Sequence, residues 1–422
     1  MPFHHRRKTA VLAIGVSVAA AFVLAGAGAA SEQRSERQFA GSINIGNSTT
    51  LSGSIAALGQ GGLQGITLAV EDLNAKGGVL RKKVNIVSAD DNATAATGAS
   101  NVRSMILEKK ISALFGPVSS AVATAELELT KQYKVPTFLH ISNDITLMTK
   151  RYTPYAFQLV PNTVMEPRSI AQYIKAKVKD RKLNVATFAP DYVFGRNTVA
   201  NFLKALTDLG VNHSIVNQQW PALGAPNIAP QLSALVASDP ELTFNVQFGG
   251  DLVNFNNQAA GFGFFKDTRI IGMYGLDVLK ALGNQAPSNG IAFNRGPFWG
   301  YKNAEMKVFV QRYKKRFGSY PNEWAIIGYS AVQAWADAAT RAKSLNGDKI
   351  SAALAGATVK TIRGPIKIRA CDHQAEVPEF VGTIAAKDDK TVGHKLWNPE
   401  IFVSSPAKTM ITCAESLALR NS

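Results

Sequence analysis

Hydroxyl and amide side chains directly follow two predicted β-strands near one another in the chain. Ser119 and Ser120 follow one strand and precede a predicted helix, and Ser142, Asn143 and Asp144 follow the next strand. Hydroxyls beside the free N–H groups of a helix N-terminus bind a carboxylate well. Either serine can also act as a simple N-cap, which stabilises a helix by about 1 kcal/mol, and the two roles can coexist. Both segments therefore predict a site for the polar head of a small ligand.

A second set of residues occupies matching positions further along the chain. Tyr192, Phe248 and Tyr274 each lie at or just after the end of a predicted strand, and Asp251 follows Phe248 closely. Three aromatic side chains at one cleft would bury an apolar or aromatic group. The sequence thus predicts a ligand with a polar head and an apolar body.

Signatures of catalysis and cofactor binding are missing. The glycine-rich segment at 59–65 has Gln64 where a dinucleotide fingerprint needs glycine, and its strand ends about ten residues earlier. We expect these glycines to let the backbone approach a ligand or the facing lobe. No G-x-S-x-G or H-E-x-x-H segment occurs, and the six histidines are scattered. We therefore expect no enzyme, no cofactor and no metal; an exported hydrolase or dehydrogenase is the weaker alternative.

The elements that position these residues alternate between strand and helix patterns. Apolar residues 66, 69, 70 and 73 recur at helical spacing, for example, and the following Gly77-Gly78 suits a helix end. Two such series, one from residue 43 and one from about 164, predict an α/β fold with two parallel-sheet lobes. Ligands bind where the carboxyl ends of parallel strands meet, so a cleft between the lobes is expected. Near the end of the chain, segments 367–369, 380–386 and 394–397 are predicted to form antiparallel strands around an Asp388-Asp389 turn.

The first 30 residues have the composition of a secretory signal. A basic stretch at 4–8 precedes an apolar run that ends in Ala27-Gly28-Ala29-Ala30. A membrane anchor is the alternative, but the run is mostly Ala, Gly and Val, which insert weakly. No cysteine lies near its end, which argues against a lipid anchor. We predict cleavage near residue 30 and a periplasmic protein of about 392 residues.

Composition and charge exclude several classes of protein. Apolar residues make up 46% of the 422 residues, which is too many for wholesale disorder, and a single long apolar run excludes a multi-span membrane protein. The net charge of +16 falls to +13 without Arg6, Arg7 and Lys8. The remaining cations are dispersed over helix faces without a dense basic stripe, so we expect no nucleic-acid partner. A basic surface that attracts an anionic ligand or a membrane face is the remaining alternative.

Two cysteines, Cys371 and Cys413, are too few for a disulfide scaffold. After export, a lone pair is most simply a disulfide that ties the C-terminal tail to the body of the protein. Two free thiols are the alternative.

Several segments together resemble one family over nearly the whole exported chain. The chain is similar to the solute-binding proteins of ABC importers for branched-chain amino acids, the leucine-binding protein family, which have the type I periplasmic-binding fold. The segments that carry this resemblance are Leu51-Ser52-Gly53, Leu58-Gly59-Gln60, Asp72-Leu73-Asn74-Ala75-Lys76-Gly77-Gly78, Phe115-Gly116-Pro117-Val118-Ser119-Ser120, Asp191-Tyr192-Val193-Phe194-Gly195, Gly249-Gly250-Asp251 and Ile368-Arg369-Ala370-Cys371-Asp372-His373-Gln374.

The resemblance implies roles for individual residues. Ser120 with Ser119, and the segment 142–144, would hold the carboxylate and ammonium of the ligand, and Tyr192 and Phe248 would cover it. One departure concerns Tyr274, which stands where branched-chain amino acid binders carry the acid that pairs with the ammonium. Asp251 or Asp144 would have to replace that acid; otherwise the ligand lacks an amino group. Leu58 replaces a further aromatic residue.

The resemblance also implies a periplasmic component of an ABC importer that acts by hinge closure. Lobe 1 is expected at 42–162 and 296–372, and lobe 2 at 163–295 and 373–413, with three crossovers near 162, 296 and 372. The ligand would be a hydrophobic amino acid or a related small carboxylate or amide. The expected partner is an inner-membrane permease, and the protein is expected to be a monomer. A periplasmic ligand sensor with the same fold is the alternative.

Overall fold

The computed structural model describes residues 39–422. In that range no helix has the length and apolar character needed to cross a bilayer. The predicted signal segment, residues 1–30, lies outside the described residues and stays a prediction.

The first lobe is built on a sheet of five parallel strands in the order β2-β1-β3-β4-β5. One face is covered by long helices whose buried side chains, such as Ile66 and Trp335, form a core with Phe115 and Phe138 of the sheet. These strands are β1 (Ser42–Thr49), β2 (Lys83–Asp90), β3 (Leu114–Phe115), β4 (Thr137–Leu139) and β5 (Ala156–Gln158). The helices of this lobe are α1 (Ala56–Ala75), α2 (Ala95–Leu107) and α3 (Ser120–Gln132), and later in the chain α9 (Ala304–Phe317), α10 (Glu323–Ala342) and α11 (Gly347–Leu354).

The second lobe is built on a mixed sheet in the order β15-β14-β10-β9-β8-β6-β7. Five neighbouring strands are parallel to one another, namely β10, β9, β8, β6 and β7. Strand β14 pairs with β10 in the antiparallel direction. The strands are β6 (Leu183–Phe188), β7 (His213–Gln219), β8 (Leu242–Asn245), β9 (Arg269–Gly272), β10 (Ile291–Asn294), β14 (Glu379–Asp389) and β15 (His394–Trp397), with β16 (Phe402–Ser404) also paired to β14. The helices are α4 (Met165–Val178), α5 (Val193–Asp208), α6 (Ala229–Ala237), α7 (Gly249–Gly261) and α8 (Leu276–Leu282).

The predicted turn at Asp388-Asp389 is wrong. Both aspartates belong to β14 and pair with Lys395 and His394 of β15, so the turn lies at 390–393. The predicted strand at 367–369 belongs elsewhere, in a small antiparallel sheet. That sheet consists of β11 (Thr358–Thr361), β12 (Gly364–Ile368) and β13 (Ala375–Glu376).

The chain passes between the two large sheets three times, which agrees with the predicted architecture of two lobes and a cleft. The passages follow β5, β10 and β13. The first passage is hydrogen-bonded to the residue before β13, since Asn162 Nδ2 donates to Gln374 Oε1 at 3.0 Å and Gln374 Nε2 donates to the carbonyl of Val160 at 2.7 Å. We place the third crossover just after β13; the residue bounds of the lobes stay a prediction.

The glycines of segment 59–65 lie inside α1, and the expectation that they face a ligand or the opposite lobe is wrong. A Cβ added at Gly65 would come within 2.0 Å of the carbonyl oxygen of Ala325 on α10, and one at Gly62 within 2.5 Å of His140 Nε2. Both neighbours belong to the same lobe. The missing side chains let α1 and α10 pack with their backbones in contact, which outweighs the low helix propensity of glycine.

Cys371 and Cys413 form a disulfide, as predicted, with their Cα atoms 5.9 Å apart. The bond ties the short α13 (Cys413–Arg420) to the first lobe. Arg420 reinforces this attachment because its guanidinium lies 3.4 Å from the ring centroid of Tyr152. Before α13, the helix α12 (Pro406–Thr409) lies on the second lobe, where Arg168 of α4 donates to the carbonyls of Thr409 and Met410.

Candidate functional site

A cavity lies between the two lobes, at the carboxyl ends of the parallel strands. The atoms around it leave about 250 Å³ between them, and the walls are so close that a water-sized sphere barely fits. A ligand must therefore part the lobes or turn wall side chains as it enters. The first lobe contributes Leu58, Val118, Ser120, Ile141, Asn143 and Trp324, and the second lobe and its crossover contribute Tyr192, Phe194, Phe248, Met273 and Arg295.

Ser120 and Asn143 supply the polar groups on the first-lobe side. Ser120 is the first residue of α3, and its Oγ accepts the backbone N–H of Asp144 at 3.3 Å, so its hydroxyl proton is available to a ligand. The side chain of Ser119 makes no capping hydrogen bond, so neither serine acts as an N-cap through its hydroxyl. Asn143 Nδ2 donates to the carbonyl of Pro161 and to Glu166 Oε2, both at 3.0 Å. Its Oδ1 is left as an acceptor.

Aromatic side chains form the second-lobe wall because the strands β6 and β8 end there. Tyr192 and Phe248 are the residues before α5 and α7, and Phe194 packs edge-to-face on Phe248 with ring centroids 5.5 Å apart. Burial raises the pKa of the Tyr192 hydroxyl, which keeps this group neutral. The wall therefore offers an apolar surface with one phenolic group.

Arg295 brings a positive charge into the cavity at the end of β10. Its side chain is 4% exposed and forms a two-pronged ion pair with Glu166, from Nε to Oε1 at 2.5 Å and from Nη2 to Oε2 at 3.2 Å. Nη1 donates to the carbonyl of Ile141 at 2.8 Å. The guanidinium carbon lies 5.3 Å from the ring centroid of Trp324, close enough for a cation–π contact.

Five of the predicted site residues do not line this cavity. Ser119 and Ser142 are buried beside lining residues. Asp144 accepts hydrogen bonds from Thr146 and, at 2.9 Å, from Asn197 Nδ2. Burial raises the pKa of the Asp144 carboxyl, although these hydrogen bonds oppose the shift.

Asp251 and Tyr274 also point away from the cavity. Asp251 Oδ2 accepts the backbone N–H of Gly224 at 2.7 Å. Tyr274 is fully buried in the core of the second lobe, and its hydroxyl donates to Asn256 Oδ1 at 2.9 Å. Side chains alternate across an extended segment, so the preceding residue, Met273, faces the cavity instead. Whether the five residues contact a ligand stays a prediction.

Two further buried ionisable groups lie close to the site. Glu323 precedes Trp324 and lies against Gly275, where an added Cβ would come within 2.3 Å of its Oε1. Burial, aided by the nearby charge of Asp277, raises the pKa of Glu323 to about 7. His140 is fully buried, and burial lowers its pKa to about 4, so its imidazole is neutral. Neither side chain lines the cavity.

The two lobes are in contact around the cavity. The backbone N–H of Gly250 donates to the carbonyl of Ser54 at 2.9 Å, and Asn197 on α5 donates to Asp144. Asn322, which caps α10, donates to Asp277 on α8. These hydrogen bonds hold the two lobes together around the cavity.

Comparison with known proteins decides the family. The family model described as periplasmic binding protein matches residues 42–390. This chain belongs to the periplasmic binding protein family. A Leu/Ile/Val-binding protein homolog from Brucella suis is 26% identical to it over 363 residues, which cover 82% of this chain and 86% of the relative.

Solved structures show the same fold. A solute-binding protein of an ABC transporter from Rhodopseudomonas palustris, in complex with 3,4-dihydroxybenzoic acid, has a TM-score of 0.74 at 24% identity, covering 87% of this chain and 99% of that one. A branched-chain amino acid binding protein from Streptococcus pneumoniae, in complex with isoleucine, also has a TM-score of 0.74, at 22% identity, and covers 86% of this chain and 100% of that one. The predicted family and fold are confirmed.

Sequence reasoning missed Arg295, Glu166 and Trp324. Arg295 directly follows β10, as the predicted site residues follow their strands, so its position in the sequence indicates the cleft. Glu166 lies in the first turn of α4, and Trp324 is the second residue of α10. Nothing in the local pattern of either indicates the cleft, because their positions depend on how the lobes meet.

Proposed function

We propose that this periplasmic binding protein is the substrate-binding component of an ABC importer, which captures a small ligand and delivers it to an inner-membrane permease. The observation that carries the proposal is the cavity whose walls come from both lobes. Its position at the carboxyl ends of parallel strands is where ligands bind in this class of fold. A Leu/Ile/Val-binding homolog among the relatives supports the same role.

Ligand capture proceeds by hinge closure. In the open form, Ser120 and Asn143 of the first lobe receive the polar head of the ligand. The second lobe then brings Tyr192 and Phe248 over the apolar body, and the hydrogen bond from Asn197 to Asp144 helps to hold the lobes together. A ligand that touches both lobes stabilises the closed form by its differential affinity for it, and the permease receives that form.

The ligand is a hydrophobic amino acid or a related small carboxylate or amide. The cavity walls are mostly apolar and aromatic, and a few polar groups converge at one end. This composition is typical of sites for small organic ligands. The protein acts in the periplasm after loss of residues 1–30, as a monomer that binds its ligand without transforming it.

Thermal-shift and scattering measurements on the full chain, recovered from the periplasm, test this proposal. We expect leucine, phenylalanine, benzoate-type acids or urea to raise the melting temperature, and the stabilising compound to reduce the radius of gyration. Deleting the gene should abolish high-affinity uptake of that compound. Closure without any loss of uptake would instead favour a ligand sensor, and turnover of the bound compound would favour an enzyme.

A further inference from the structure

The second crossover places a buried guanidinium at the polar end of the cavity. Arg295 has five N–H groups, and Glu166 and the carbonyl of Ile141 accept three of them. Two N–H groups, one on each terminal nitrogen, are left without a partner among the described residues. A planar pair of donors matches the two oxygens of a carboxylate.

Glu166 orients the whole polar end of the cavity. Its two carboxylate oxygens accept from Arg295 and from Asn143 Nδ2. The side chain is 1% exposed and cannot turn toward a ligand without breaking these bonds. Glu166 therefore fixes the direction of the guanidinium and turns Asn143 Oδ1 outward, which makes it a positioning residue.

Glu166 is paired with Arg295, and two further buried acids, Glu379 and Glu323, interact with its charge. Glu379 begins β14 after the third crossover. Burial, together with the charge of Glu166, raises the pKa of Glu379 well above its usual value, which favours its neutral form at neutral pH. Burial raises the pKa of Glu323 to about 7, and Arg295, the partner of Glu166, itself lines the cavity.

No carboxylate among the described residues lines the cavity. Asp144 and Asp251 are held by Asn197 and Gly224, and the carboxyl of Glu323 lies behind Gly275. A ligand ammonium would lose its water at this site and meet a guanidinium instead of a counter-charge. Burying a charge without a partner is strongly unfavourable.

We propose that the ligand of this cavity is an apolar or aromatic carboxylate without an ammonium group, bound through Arg295 with Glu166 as its positioning residue. The inference rests on the proposed function, because it assumes that the cavity is the transport site. Ser120 donates to the same carboxylate, and the apolar body lies between Trp324 and the aromatic wall of the second lobe.

Pairs of compounds that differ only in the ammonium group test the ligand class. Hydrocinnamate is phenylalanine without its amino group, and isocaproate is leucine without it. We expect each deaminated acid to bind the full chain at least tenfold more tightly than its amino acid in calorimetry, and hydrocinnamate more tightly than hydrocinnamamide. Tighter binding of phenylalanine or leucine, or no binding of either carboxylate, overturns the inference.

Two variants test the residues. In the double variant Glu166→Gln with Arg295→Gln the ion pair becomes a neutral pair of similar volume, so the fold does not bear an unpaired buried charge. We expect it to bind hydrocinnamate about 10- to 100-fold more weakly, with little change for hydrocinnamamide. Glu166→Gln alone should change the ratio of the two affinities, which a purely structural role would leave unchanged. Arg316→Gln, on the exposed face of α9, is the control.

The two proposals fail in different ways. Preference for an amino acid overturns the carboxylate assignment and leaves the importer role standing. If the protein binds hydrocinnamate tightly, but its radius of gyration stays the same and deleting the gene does not reduce uptake, the importer role is overturned. The carboxylate assignment then still stands. Equal loss of hydrocinnamate and hydrocinnamamide binding in the double variant overturns the role of Arg295.

Discussion

Glu126 shows how a single buried acid shapes the stability of the first lobe. Its side chain is fully buried, and Oε1 accepts a hydrogen bond from the Ser48 hydroxyl at 2.6 Å. Burial raises the pKa of Glu126 well above its usual value, and the nearby charge of Asp91 acts in the same direction. The folded protein therefore holds this proton at a pH where the unfolded chain has released it.

The variant Glu126→Gln makes this dependence measurable. A raised folded-state pKa stabilises the fold below the unfolded pKa, and that stability is lost as the pH rises toward the folded value. Urea unfolding between about pH 5 and pH 8 should show the wild type losing free energy of unfolding relative to Glu126→Gln. Glu128→Gln, at an exposed position of the same helix, should show no such difference. Parallel curves for the wild type and Glu126→Gln would mean that Glu126 does not titrate in this range.

At this scale the sequence predicted part of the site. Ser120, Asn143, Tyr192 and Phe248 line the cavity, because strand ends can be read from local patterns. Tyr274 does not, since the face on which a side chain lies after a strand depends on a single residue of register. The position of an ion pair between two crossovers, such as that of Arg295, requires knowledge of how distant segments meet.

At the scale of elements, the contact between α1 and α10 depends on glycine. We expect Gly65→Ala to lower the free energy of unfolding by roughly 1–3 kcal/mol, because the new Cβ would overlap the backbone of Ala325. Gly261→Ala, at the end of α7, has no atom within 4 Å of its added Cβ and should change stability by less than about 1 kcal/mol. Chemical denaturation of both variants makes the comparison, and equal stabilities would show that the two helices can move apart freely.

The disulfide is the second element-scale constraint. Cys371 and Cys413 are 42 residues apart, and the chain-entropy model gives such a closed loop about 4 kcal/mol of stability. The double variant Cys371→Ala with Cys413→Ala should therefore unfold at a clearly lower urea concentration than the oxidised wild type. Wild type treated with reductant serves as the comparison, and should match the double variant. Equal urea midpoints for the oxidised wild type and the double variant would show that the disulfide does not stabilise the fold by restricting the unfolded chain.

Most helices and strands were predictable because their apolar residues recur at regular spacing. The exceptions are instructive. β5 has only three residues and α8 only seven, which is too short for a period to appear. Aspartate is common in turns, so the sequence at 388–389 suggests one. Both aspartates nevertheless belong to β14, because they pair with β15.

At the scale of the whole molecule, closure depends on a few polar contacts between lobes. Asn197→Ala removes the hydrogen bond to Asp144 and should shift the protein toward an open form. We expect a larger radius of gyration without ligand and roughly 5- to 10-fold weaker binding. Asn201→Ala is the matched control, because Asn201 bonds within α5 to the carbonyl of Asn197. A variant as compact as the wild type would show that other contacts hold the lobes together.

The attachment of α13 beside Tyr152 places both described ends of the chain on one lobe. β1 begins at Ser42 in the first lobe, and Arg420 lies on the same lobe. Fluorophores at these two ends would therefore keep their separation while the second lobe rotates, and would report nothing about occupancy. The exposed turn at 390–393 moves with the second lobe and is a site where insertions are tolerated. A reporter inserted there, paired with one at Arg420, would turn this protein into an optical sensor for its ligand.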